Sequence, residues 1–115
     1  MAVRNIVPAT GQIWFVEEPR LGNAEHGHYA LVTQIMVPQN MTAINFISTL
    51  KSFHDDFRID ETIDGFSTTG LKHSCYLLRH RVYDVTLATL QNGKYKGYVS
   101  GELKKAIEEW WGELL

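Results

Sequence analysis

The chain has 115 residues, 44% of them apolar and 21% charged, which fits a single packed domain and excludes a disordered tail, a collagen-like repeat or a long coiled coil. Eleven Lys and Arg against thirteen Asp and Glu leave a formal charge of −2, so no global positive field marks a nucleic-acid binder and any such role rests on a local patch. Cys75 is alone and cannot form an internal disulfide, and neither a membrane-length apolar run nor a signal-peptide core is present, so a reducing, cytoplasmic setting away from membranes is expected.

Gln12–Glu17 alternates Ile13 and Phe15 against Trp14 and Val16, as a half-buried strand does, and predicts the first strand. The dozen residues Glu17–His28 carry Pro19, Gly22 and Gly27 without periodicity, a loop long enough to serve function. Tyr29–Val37 reads as a second strand stopped by Pro38-Gln-Asn, and Thr42–Leu50 as a third, antiparallel to it. Acids gather between Ser52 and Asp64, with a short strand expected at Arg58–Ile63. Ser74–Leu90 is dense in Val, Leu, Tyr and Thr and predicts two strands. Asn92-Gly93, between Val85 and Leu87 on one side and Tyr95 and Tyr98 on the other, predicts a type I′ hairpin. Ser100 as N-cap, Glu102 in the first turn and Leu103, Ile107, Trp110 and Leu114 at helical spacing predict a closing helix. Successive strands with one terminal helix point to a mainly β fold, a small antiparallel barrel or strongly bent sheet, as a single domain over residues 1–115.

His26-Gly-His28 could seed a metal site with His54, His73 or His80, but no zinc-type spacing is present, so surface histidines and no metal are expected. From Lys72 to Lys105 seven cations stand against two acids. On one strand Arg79, Arg81 and Tyr83 would share a face, placing cations beside an aromatic ring as single-stranded nucleic acid prefers; the competing reading is a solvated outer face. Trp110 is expected to join the apolar stripe of the helix while Trp111 faces another side. Cys75 reads as a small buried hydrophobe.

Gly11-Gln-Ile-Trp-Phe-Val, a glycine-containing loop, Ala30-Leu-Val-Thr, Ile47-Ser-Thr49, Gly70-Leu-Lys-His-Ser through Val85, and Lys96-Gly-Tyr-Val-Ser-Gly-Glu-Leu before a closing helix together resemble the PemK/MazF toxin endoribonuclease family over residues 11–115. The resemblance implies an SH3-like antiparallel barrel, a homodimer, cleavage of single-stranded RNA without metal or other cofactor, and neutralisation by a cognate antitoxin protein. It places catalysis on Thr49 with adjacent Ser48, and on His28 or Tyr29 at the position where the family carries Arg. Arg79, Arg81 and Lys51 would then grip phosphates. His73 likewise stands where the family commonly has Asp. His28 exchanges a constant cation for an imidazole, a competent base that stabilises a phosphorane only when protonated. The alternative is a non-catalytic barrel that binds a protein partner, a reading that the missing Arg and the acidic Ser52–Asp64 segment favour.

Overall fold

The structure, a computed structural model, describes residues 6–17 and 27–112. Six strands, β1 (Gln12–Val16), β2 (His28–Met36), β3 (Met41–Ser48), β4 (Phe57–Ile59), β5 (Cys75–Thr86) and β6 (Lys94–Tyr98), form one sheet in the order β4-β5-β3-β2-β1-β6. Every neighbouring pair is antiparallel and the sheet curls into a half-barrel, followed by a C-terminal helix. Among the described residues a 3-10 turn at Phe66–Thr68 and two α-helices, α1 (Leu87–Gln91) and α2 (Gly101–Gly112), complete the fold.

Strand alternation builds a core on each face. Trp14 and Val16 of β1, Ala30 and Val32 of β2, and Ile44 and Phe46 of β3 share one face, which Leu90 of α1 closes. Their neighbours Ile13, Leu31 and Ile47 point the other way and are covered by Leu103 and Ile107 of α2. Trp110 packs on that second cluster too, as the helical spacing requires, while Trp111 lines a separate groove between α2 and the sheet. Cys75 is buried, and that burial pushes its thiol up to about 11, so it packs as a small hydrophobe.

Three expectations are overturned and a fourth is shortened. Ser74–Leu90 is one strand and a helix, because Thr86 turns the chain: its hydroxyl accepts from the Thr89 amide at 3.1 Å and caps α1. Asn92-Gly93 makes no type I′ hairpin, since Asn92 sits at φ −74 and β6 pairs with β1, not with β5. Ser100 does not cap α2 with its side chain. Its hydroxyl bonds the Thr68 hydroxyl at 2.8 Å, and the carboxylate of Asp64 accepts from the Glu102 amide at 3.2 Å instead. The strand expected at 58–63 is confined to β4, after which Asp60 caps a turn through the Thr62 amide.

Candidate functional site

A bulge in β5 sets the positions of the two arginines. The two steps from Asn45 to Ile47 on β3 are matched by five from Val82 back to Leu77 on β5. Buried Asn45 holds the bulged backbone by donating from Nδ2 to the Leu78 carbonyl. The extra residues break the alternation, so Arg79 and Arg81, expected on one face, separate. Arg79 lies over the Trp110 ring at 5.2 Å, donates from Nη1 to the Trp110 carbonyl at 3.2 Å, and has Nε 4.0 Å from Asp55. It ties α2 to the sheet. Arg81 instead lies over the Phe46 ring on the opposite face, at 5.4 Å, and Tyr83 packs against that face with it.

The acidic segment after β3 is consumed structurally. Asp56 accepts from the amides of Ser52 at 2.8 Å, Phe53 at 2.7 Å and Arg79 at 3.1 Å. Desolvation would raise its pKa, but the combined backbone donors prevail and hold the carboxyl below its ordinary value. Asp55 pairs with His80 at 2.9 Å, and its backbone carbonyl accepts from the Trp110 indole at 2.7 Å.

His28 opens β2 and meets Phe46 edge-on, ring centres 4.5 Å apart, so imidazole and Arg81 guanidinium flank one phenyl ring. Burial, and secondarily the Arg81 charge, hold the His28 pKa below its ordinary 6.5, so the imidazole is neutral at physiological pH. Its Nε2 is enclosed and has no hydrogen-bond partner among the described residues, an uncommon state for a buried polar atom. Because Ala30 pairs with Phe46, alternation puts His28, two residues before Ala30, and Ser48, two after Phe46, at neighbouring positions of one face.

Tyr29 and Thr49 alternate to the other side. There a groove of about 220 Å³ is lined by Tyr29, Ser48, Thr49, Lys72, His73 and Ser74 among others. The loop that supplies the last three is held by close backbone packing: a Cβ on Gly97 would collide with the Thr68 carbonyl, and one on Gly70, at φ 77, with the Lys96 carbonyl. Ser48 Oγ accepts from the Leu50 amide at 3.1 Å, and Thr49 and Lys51 are exposed just past the strand end. The predicted residues are thus divided. His28 and Arg81 sit together on one face, Thr49 lies in the groove on the other, Ser48 is at the rim between them, and Arg79 is a helix anchor.

Sequence reasoning missed Phe46 as the ring that joins His28 to Arg81, although its place two residues before Ser48 in a predicted strand was readable. It also missed Lys72, which only the fold brings to Tyr29. No group of three or more His, Cys, Asp or Glu positioned for a metal ion occurs among the described residues; His26 lies outside them, as do most of the Glu17–His28 loop and Leu114. No helix among the described residues is long and apolar enough to cross a membrane. Neither a protein-family model nor a curated protein matches the sequence.

Proposed function

We propose that this chain is a metal-independent endoribonuclease acting on single-stranded RNA at the rim where β2 and β3 meet, as the PemK/MazF-like pattern of its sequence implies. The observation that carries the reading is the pair of His28 and Arg81 on one phenyl ring. Cleavage by the internal 2′-hydroxyl needs a base and a fixed positive charge on the pentavalent phosphate. His28 alone supplies only one of these at a time. With Arg81 beside it the labour divides: the neutral imidazole accepts the 2′-hydroxyl proton and the guanidinium, always charged, stabilises the phosphorane. The O2′–P bond forms as the P–O5′ bond breaks, the Ser48 hydroxyl at the rim donates to a phosphate oxygen, with Thr49 beside it on the groove side, and the departing 5′ oxygen takes its proton from water. Products are a 2′,3′-cyclic phosphate and a 5′-hydroxyl.

Incubation of the purified chain with single-stranded RNA in excess chelator tests this. Expected are new 5′-hydroxyl ends, with His28→Ala and Arg81→Ala each slowing their appearance by about 100-fold or more. Intact RNA in the presence of folded wild-type protein, or cleavage indifferent to His28→Ala, overturns it.

A second reading, a barrel that docks on a protein, is favoured by the 75% exposure of Leu50 and 53% exposure of Phe53, two large apolar side chains three residues apart. In that reading the chain cuts no RNA and its partner is a protein.

A further inference from the structure

Beyond the reacting groups, the sheet carries a row of aromatic and cationic side chains that the cleavage chemistry leaves unused. Phe15 of β1 pairs with Tyr29 of β2 on one side and with Lys94 of β6 on the other. The two rings meet edge to face, centres 5.0 Å apart. Lys96, two residues on from Lys94 and on the same face, lies over the Phe15 ring with Nζ 5.9 Å from its centre. At one end the row opens into a groove of about 500 Å³ lined by Phe15, Lys94, Thr89 and Asn92 among others. At the other it reaches the groove of Tyr29, Lys72, Ser48 and Thr49. Glu17 is the only acid among the described residues lining the two grooves, in a chain whose net charge is negative. Three of the nine cations among the described residues, Lys72, Lys94 and Lys96, lie along this row.

We infer that Phe15 and Tyr29 form a stacking platform for the bases of a single strand crossing β6, β1 and β2, with Lys94, Lys96 and Lys72 along its phosphates. Aromatic faces accept any base, and lysines beside them track the backbone without reading sequence. A duplex keeps its bases stacked on each other and has none to lend to Phe15, so the platform selects unpaired strands. The inference rests on the nuclease reading only for the direction of travel: the path ends at Ser48 and Thr49, the rim assigned to cleavage.

The test is binding of a short fluorescent 2′-O-methyl oligouridine, which lacks the attacking hydroxyl and cannot be cut, followed by anisotropy as salt is raised. Wild type is expected to bind with steep salt dependence. Phe15→Leu, which keeps apolar volume, is expected to weaken binding about tenfold, and Lys96→Gln and Lys72→Gln each to reduce the logarithmic salt slope by about 0.7. Lys104→Gln, on α2 away from the row, is expected to leave both unchanged. Circular dichroism establishes that each variant is folded, and Tyr29→Leu repeats the test should Phe15→Leu unfold. Wild-type affinity in a folded Phe15→Leu, binding without salt dependence, or equal affinity for a polyglutamate chain overturns the platform. Binding that needs Phe15 in a protein that cuts no RNA removes the nuclease reading and keeps the platform. Cleavage with unchanged KM in Phe15→Leu and Lys96→Gln does the reverse.

Discussion

His28 is the residue on which both the chemistry and the local stability turn. Its pKa in the folded chain lies below 6.5 because burial, then the Arg81 charge, disfavour the imidazolium. In the unfolded chain the group titrates near its ordinary value. The neutral imidazole therefore contributes stability that is complete above pH 6.5 and is lost as pH falls through that value toward the lower folded one, where the unfolded state binds the proton first. Urea midpoints measured from pH 7.5 downward are expected to fall more steeply for wild type than for His28→Gln, and equal slopes would mean that the environment of His28 does not depress its pKa. At this scale the sequence was a partial guide. Ser48, Thr49 and His28 or Tyr29 came from the family resemblance, and strand pairing sets His28 and Ser48 on one face and Tyr29 and Thr49 on the other. The partner of His28 was not readable, because Arg81 is 53 residues away along the chain and reaches Phe46 only through the bulge in β5.

Among the elements, the junction of α2 with the sheet gives a charged residue a structural role. Arg79 reads as a phosphate contact from composition, yet its guanidinium stacks on Trp110, bonds that residue's carbonyl and borders Asp55. Removing it costs packing and a charge-assisted hydrogen bond. Arg79→Ala is expected to destabilise the fold by about 1–3 kcal/mol in denaturant titrations while leaving the affinity for single-stranded oligonucleotide within about twofold. A large loss of affinity at unchanged stability would return Arg79 to the binding surface. Elements with strong local periodicity, β1 to β3 and α2, were legible. Those decided by a single capping contact were not: Thr86 ends β5 with one hydroxyl, and Asp64 reaches α2 from 38 residues earlier, a distance at which no local pattern operates.

For the whole molecule, the two clusters share β1, β2 and β3, so neither face of the sheet can lose its packing without exposing the backbone on which the other depends. One cooperative transition is expected. Leu103→Ala, at a fully buried site beneath α2, is expected to cost about 2–5 kcal/mol, a large share of a small domain's stability. Tryptophan fluorescence, which includes Trp14 on the face away from α2, and far-ultraviolet circular dichroism are expected to shift together; separate midpoints would show that the faces unfold independently. The mainly β architecture with its terminal helix followed from the succession of short β-rich segments, but the strand order did not, since β6 crosses to β1 past four intervening strands in the chain. The bulge in β5 has a consequence for how chain length can vary. Elsewhere in that strand one inserted or deleted residue reverses the parity of everything beyond it, and near Val85 that would turn Asp84 toward the apolar face. Between Leu78 and Arg81 the residue count is already uncoupled from the ladder, which Asn45–Val82 and Ile47–Leu77 pin on either side. There Leu78 is held by Asn45, Arg79 by Asp56 and Trp110, and His80 by Asp55, so the place of Arg81 beside His28 depends on those side-chain anchors and not on the ladder, and a length change in this stretch would act on the pair by loosening them.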